Sequence, residues 1–324
     1  MAAANKGGAG KPGSSQSASS QSASGSANQT EPIDYVVLER NAPQITVKKS
    51  SSPAAEPADV LVIGAFADGA LSPAAQAIDK AANGKLATLI KRGDLEAKPG
   101  STVMLYDVPG TAAQRVLLVS FGPRDKFTDQ VFNTALSGAA KALATGKGGN
   151  VAVALADLDV SGRSLAWRLQ HASRILADGV YRFDAPKDKA NGKPAAQRSV
   201  PNVALLTAEE VTDDLKFSVR SGQAIAEGMA LTKDLGNLPG NVCNPGYLAN
   251  VARALGKEFN FKVDVLERAD MEKLGMYSAL SVGRASDQPC KFIVMHYQGG
   301  DTKAKPIVPG SRSEERRVGK ECRS

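Results

Sequence analysis

The run Val60-Leu61-Val62-Ile63, bounded by Asp59 and Gly64, constrains this chain more than any other feature. Four branched aliphatic residues without polar alternation suit a strand buried on both faces, and such a strand needs a layer of helices on each side of its sheet. Segments around it repeat the theme. Tyr35-Val36-Val37-Leu38, Ile45-Thr46-Val47, Thr102 to Tyr106, Arg115 to Val119, Val151 to Leu155 and Asn202 to Leu206 read as further strands. Helices are predicted from Ser72-Pro73 to about Asn83, from Asp129 to Thr145 and from Ser164 to Tyr181, the first with a hydroxyl at its cap and proline in its first turn. Strands alternating with helices predict an α/β fold with a mainly parallel sheet.

Aromatic residues make up only 5% of the chain, so Ala, Val, Leu and Ile must fill the interior, as layered α/β packing allows. The 324 residues are enough for two domains with cores of their own. Residues 1–32 are mostly Ala, Gly, Ser, Gln and Asn, with too little apolar surface to offset ordering, and are expected to form a disordered tail. Of the formal charge of +7, two units fall between Arg312 and Arg323 and one within the first 33 residues, leaving +4 for the body. That body has no dense Lys/Arg run and no basic stripe interleaved with aromatics, so nucleic acid is only weakly indicated as a partner. Cys243, Cys290 and Cys322 have neither metal-ligand nor redox spacing, which fits a reducing, cytoplasmic setting. No run reaches the ~18 apolar residues of a membrane helix, and no apolar signal-peptide core stands at the start.

From Asp213 or Asp214, either of which can cap it, a long helix is predicted to about Leu235. Phe217, Ala224, Ile225, Gly228, Leu231 and Leu235 share one face, while Gln223, Glu227, Lys233 and Asp234 lie opposite, a pattern suited to a spacer leaning on two domains. Gly236 and Pro239 end it. Asn244-Pro245 starts another helix whose stripe is Leu248, Val251, Ala252 and Leu255. Phe261, Val263 and Val265 alternate as a strand, and Asp270 caps a short helix that Gly275 terminates. Ala279 to Gly283 and Phe292 to Tyr297 then read as strands, and Pro306-Ile307-Val308 as the start of one more.

Lys233-Asp234-Leu235-Gly236-Asn237-Leu238-Pro239-Gly240-Asn241, followed by Asn244-Pro245-Gly246-Tyr247-Leu248-Ala249, resembles the leucyl aminopeptidase family of two-metal peptidases. Glu272-Lys273-Leu274-Gly275-Met276, Leu280-Ser281-Val282-Gly283 and Phe292-Ile293-Val294-Met295-His296-Tyr297 follow in the family's order, and Asp178 to Phe183 matches less specifically. The likeness covers about Ile33 to Val308. It implies a macrodomain-like N-terminal domain over 33–212, a linker helix over 213–237 and the opening of a peptidase domain over 238–308.

The resemblance further implies a homo-hexamer that removes N-terminal residues, preferably leucine, from peptides. Two divalent metals, manganese, zinc or magnesium, would bind the substrate amine and activate a bridging water, since paired cations lower its pKa and stabilise the oxyanion. In that family the metal-binding Lys and Asp lie in a Gly-Lys-Gly loop and a Thr-Phe-Asp-Ser/Thr-Gly-Gly turn further along, and an Asn-Thr-Asp-Ala-Glu-Gly-Arg motif completes the site. None of these follows Val308 here, and the likeness departs at Pro309. Residues 309–324 belong to no family motif, and the stretch from Arg312 resembles a translated sequencing adapter, with a natural basic tail as the competing reading. The expectation is a fragment without catalytic, cofactor or metal residues, binding no metal and inactive by itself. The alternative is a non-catalytic macrodomain-like module that binds nucleic acid or a phosphorylated ligand.

The remaining candidates for chemistry favour structural roles. His171 lies in a predicted helix and His296 in a strand, whereas zinc sites collect several ligands. Cys243, near a helix start where a thiol can be acidified, reads more simply as a small buried residue. Gly146, Gly148 and Gly149 lack the Gly-Lys-Ser/Thr ending of a phosphate loop and follow a helix. Glu209-Glu210 and Asp213-Asp214 read as capping residues, and Lys187, Lys189, Lys193 and Arg198 as charges of a solvated loop.

Overall fold

The computed structural model describes residues 43–146, 149–183 and 201–300. The predicted strand Tyr35 to Leu38, the N-terminal tail, the loop Asp184 to Ser199, Pro306-Ile307-Val308 and residues 309–324 lie outside the described residues.

Six strands form the main sheet: β1 (Ile45–Lys49), β2 (Val60–Ala65), β3 (Thr102–Tyr106), β4 (Arg115–Ser120), β5 (Asn150–Val153) and β6 (Asn202–Thr207). Their order is β1-β6-β5-β2-β4-β3, and every pairing is parallel except that of β3 with β4. The aliphatic run Val60 to Ile63 lies in β2, in the middle of the sheet, and this strand is buried along its whole length. Its alternate residues enter different cores. Leu61 and Ile63 pack with Val116, Leu118 and Leu206 under α1 (Pro73–Ala81) and α2 (Lys85–Lys91), the second a helix not anticipated from the sequence. Val62 packs with Leu117, Val119 and Leu205 under α3 (Asp129–Ala144) and α4 (Leu165–Gly179), through Phe132, Leu136, Leu169 and Leu176. The sheet is therefore covered on both faces, as expected.

The helix starts show why these boundaries hold. The Ser72, Thr128 and Ser164 hydroxyls accept from the backbone N–H groups of Ala75, Val131 and Trp167, each satisfying a donor with no partner inside its helix. The long helix α5 (Asp213–Asn237) is capped in the same way by Thr212, whose side chain accepts from Leu215 N. This corrects the assignment to Asp213 or Asp214, which instead place negative charge in the first turn.

A second correction concerns the face that α5 buries. Leu215, Val219, Gly222, Ala226, Ala230 and Asp234 are buried, largely along α4, while Phe217, Ala224, Ile225 and Gly228 are exposed. Small residues, not the most apolar ones, allow the close helix–helix approach, because Gly222 has a Gln170 carbonyl and the Ser173 side chain directly against it.

Beyond α5 come α6 (Pro245–Glu258), β7 (Lys262–Leu266), α7 (Arg268–Lys273), α8 (Tyr277–Val282) and β8 (Phe292–His296), with β7 and β8 paired antiparallel. Asn244 caps α6 as predicted, accepting from Tyr247 N at 3.0 Å. The α7 cap is Glu267 rather than Asp270, and Asp270 reaches back to accept from Glu267 N at 3.1 Å. The strand expected at Ala279 to Gly283 is the end of α8 and the turn after it. Leu280 N donates to Met276 O, and the Ser281 hydroxyl to Ser278 O, local bonds of a helical turn that an extended strand cannot make. A short apolar run does not distinguish the two. Among the described residues no helix is long and apolar enough to cross a membrane.

Candidate functional site

The sheet topology marks one place for a ligand. The connection leaving β2 runs over one face of the sheet through α1 and α2, and the connection leaving its neighbour β4 runs over the other through α3. At such a reversal the loops after the two strands part and leave a crevice beyond their carboxyl ends. An open depression of about 600 Å³ lies there, lined by Ala67, Asp68, Pro123, Arg124 and Asp125. Beneath it Phe66, Phe121 and Phe127 pack with ring centroids 5.3 Å apart, and the Arg124 guanidinium lies 5.7 Å from the Phe66 centroid. Asp68 is occupied locally, accepting from Ala70 N at 3.0 Å. Its lining carries two carboxylates, Asp68 and Asp125, and one guanidinium, Arg124, so its formal charge does not favour phosphate. Sequence reasoning missed this place because strand order, not composition, creates it.

A second polar cluster joins α4 to the end of α5. The Tyr181 hydroxyl donates to Asp234 Oδ1 at 2.8 Å and accepts from Asn237 Nδ2 at 3.3 Å. Lys233 pairs with Asp178, its ammonium 4.9 Å from the Tyr181 ring centroid. These residues come from two of the segments that carried the family resemblance, Asp178 to Phe183 and Lys233 to Asn241, and their contacts make the cluster a clamp between helices.

The other candidate residues do not converge. His171 stacks on Trp167 with centroids 3.8 Å apart, and its Nδ1 lies 3.2 Å from Asn133 Oδ1. Burial holds its pKa below the ordinary histidine value, helped by the charges of Arg174 and Arg163 and opposed by Asp129. His296 lies across the β7–β8 ladder with Nε2 3.1 Å from Asp264 Oδ2. Asp264 also pairs with Lys262 at 2.8 Å, the main cause of its lowered pKa, and a carboxylate already held by an ammonium beside one imidazole is not a metal cage. Cys243 is buried just ahead of the α6 cap.

Gly149 adopts φ +107°, which favours glycine, and sits against Asp59, whose Oδ2 accepts from Asn150 N at 2.7 Å. It therefore serves a helix-to-strand turn; Gly148 lies outside the described residues. Glu210 pairs with Lys49, and Asp213 with Lys216 at 3.0 Å. Among the described residues no three His, Cys, Asp or Glu side chains come together as metal donors, so they do not fit the two-metal centre that the resemblance implies.

Comparison with known proteins places these features. Residues 62–190 match the N-terminal domain model of the cytosol aminopeptidase family, and residues 230–313 match the catalytic domain model of the same family. A probable cytosol aminopeptidase of Azoarcus sp. is 59% identical over 261 residues, covering 80% of this chain and 52% of the relative. One from Aromatoleum aromaticum is 55% identical over 248 residues, covering 76% and 49%. Among solved structures, the bottromycin maturation enzyme BotP superposes with a TM-score of 0.56 at 25% identity, over 74% of this chain and 46% of BotP. A tomato leucine aminopeptidase mutant superposes with a TM-score of 0.65 at 21% identity over 79% and 51%, a likeness of fold alone. The chain spans about half the length of the curated relatives it matches.

Proposed function

We propose, since this chain belongs to the cytosol aminopeptidase family, that it is the amino-terminal portion of a metal-dependent exopeptidase that removes N-terminal residues, leucine by preference, from peptides. The observation that carries the reading is that models of the family's two domains match in order, with the catalytic one reaching only residue 313. The domain division proposed with it is 33–212 as the N-terminal α/β domain, 213–237 as the linking helix and 238–308 as the start of the peptidase domain, flanked by 1–32 and 309–324; the catalytic match itself begins within that helix, at 230, and runs five residues past 308.

Two divalent cations, manganese, zinc or magnesium, are the proposed cofactors of the whole enzyme. A structure of BotP in complex with Mn supports a metal in the fold family. The metals would polarise the peptide carbonyl and activate water. The described residues of this chain assemble no donor set for them; what it supplies in this reading is the sheet, the clamp between α4 and α5, and the opening of the peptidase domain. Action on peptides in the cytoplasm is supported by the names of the relatives, and a homo-hexamer, implied by the family resemblance alone, completes the proposal. The alternative of a phosphate- or nucleic-acid-binding module gains nothing from the crevice, where Asp68 and Asp125 outnumber Arg124.

The test is hydrolysis of leucine p-nitroanilide with manganese or zinc added. The 324-residue chain should give no metal-dependent release, and the same chain extended by the second half of the Azoarcus relative should give it. Turnover by the chain alone would overturn the placement of the catalytic residues beyond it, and silence of the extended enzyme would overturn the peptidase reading.

A further inference from the structure

Trp167, the single tryptophan of the chain, lies half-buried on α4 between an arginine one turn before it and a histidine one turn after. The Arg163 guanidinium stands 4.8 Å from its ring centroid, and the His171 imidazole stacks on it at 3.8 Å with the planes 23° apart. The same two residues are rungs that tie this part of the chain to α3. Arg163 Nε and Nη2 donate to Asp129 Oδ2, and His171 Nδ1 faces Asn133 Oδ1 at 3.2 Å, one turn further along α3. Between the rungs the indole packs with the buried Phe132 at a centroid distance of 6.4 Å. With a carbonyl oxygen at Nδ1, the neutral imidazole carries its hydrogen there. An added proton therefore goes to Nε2, which has no partner among the described residues.

That proton changes the balance of the stack. An aromatic ring attracts a cation, but this one already holds Arg163, and an imidazolium beside it adds a like charge to the same place. Burial opposes the charged form first, and Arg174 of α4 and Arg163 from the turn ahead of α4 oppose it next. Only Asp129 of α3 favours it, and that carboxylate is already paired with Arg163. Because His171 is only half-buried, rotation of its side chain into water restores hydration and moves the new charge away from both guanidinium groups.

We infer that Arg163, Trp167 and His171 form a proton-operated latch between α3 and α4. Neutral His171 closes it by stacking on Trp167 and bonding Asn133. Protonated His171 swings out, which bares one face of the indole and releases that rung, while Arg163 stays on Asp129. The remaining rung holds the start of α3, close after the turn Arg124–Lys126 that lines the crevice. Opening therefore loosens the middle of the helix pair and leaves the crevice wall anchored. The inference goes beyond the family reading and does not depend on it.

The experiment follows Trp167 fluorescence in the 324-residue chain from about pH 8 to about pH 5, with acrylamide as quencher and circular dichroism at each pH. Quenching should rise roughly twofold, because the stacked imidazole covers one face of the indole. The midpoint should lie below 6.5, with helix content unchanged. His171→Phe, which stacks without titrating, should remove the rise, and His171→Gln should show the open level at every pH. Arg174→Gln should move the midpoint up and Asp129→Asn should move it down, since one removes a repelling cation and the other the opposing carboxylate. Emission that falls with acid while acrylamide quenching stays flat means that the imidazolium remains stacked, and overturns the inference. A rise that persists in His171→Phe overturns it too, as do midpoints that Arg174→Gln and Asp129→Asn leave in place. Loss of helix content in step with the fluorescence makes the change global unfolding and has the same consequence.

Discussion

The Tyr181 hydroxyl donates to Asp234 Oδ1 at 2.8 Å, joining residues just past the end of α4 and in the last turn of α5. Asp234 is only 5% exposed, so its carboxylate depends on protein donors in place of water. Removing one donor from a buried acceptor costs roughly 1–3 kcal/mol, more than the bond contributes against water. Tyr181→Phe should therefore lower unfolding stability by about 1–2 kcal/mol in urea, although the ring that Lys233 lies over is kept. A midpoint unchanged within error would show that the other partners of Asp234 suffice.

Ser72 makes a comparable link between α1 and the central strand. Its buried hydroxyl accepts from Ala75 N at 3.3 Å and from Gly64 N at 3.4 Å, so one oxygen serves a helix start and β2 together. Ser72→Ala should cost about 1–2 kcal/mol, and Ser72→Thr or Ser72→Asp less. Equal losses for all three in thermal unfolding would indicate that packing, not capping, matters there.

His171 gives the acid limb of the stability profile a defined sign. Burial is the main cause of its lowered pKa, so the folded chain binds a proton there less readily than the unfolded chain. Its contribution to stability is then fully present above the unfolded value of 6.5 and is lost as pH falls from there through the folded pKa. The pairing of Asp129 with Arg163 also lowers a folded pKa, but its window lies below the carboxylate value of 3.8. His171→Asn should flatten the fall in stability between about pH 7 and pH 5 and leave the steeper loss at lower pH. Parallel curves for the two proteins across that interval would remove His171 as the cause.

The two halves of the described chain were legible to different degrees for a physical reason. Strands such as Val60 to Ala65 are buried on both faces, so their composition alone announces them, and the hydroxyls at Ser72 and Ser164 mark helix starts with a specific chemistry. The buried face of α5 was misread because periodicity identifies an apolar stripe without saying whether this chain covers it. Leu215, Val219 and Ala226 are buried, and Phe217 and Ile225 are not. Met276 to Val282 lacks a long period, and its local bonds decided for helix. The crevice between Asp68 and Arg124 depends on strand order, which no local stretch encodes.

The place where α5 is cut should decide whether the six-stranded sheet and its helices α1 to α4 survive alone. Leu215 and Val219 are buried against the main core, and Ser173 on α4 donates to Val219 O at 2.8 Å. Burial of those two side chains is worth about 3–6 kcal/mol, a large part of the stability of a typical domain. A fragment ending at Asn237 keeps this surface covered and also keeps the Tyr181–Asp234 bond. One ending at Thr212 bares the face of α4 around Gln170 and Ser173. The longer fragment should unfold cooperatively and remain monomeric, while the shorter should bind a hydrophobic dye and aggregate. If the fragment ending at Thr212 melts at the same temperature as the longer one, α5 is only a spacer, and burial along its small-residue face adds nothing to the stability of the six-stranded sheet and its helices.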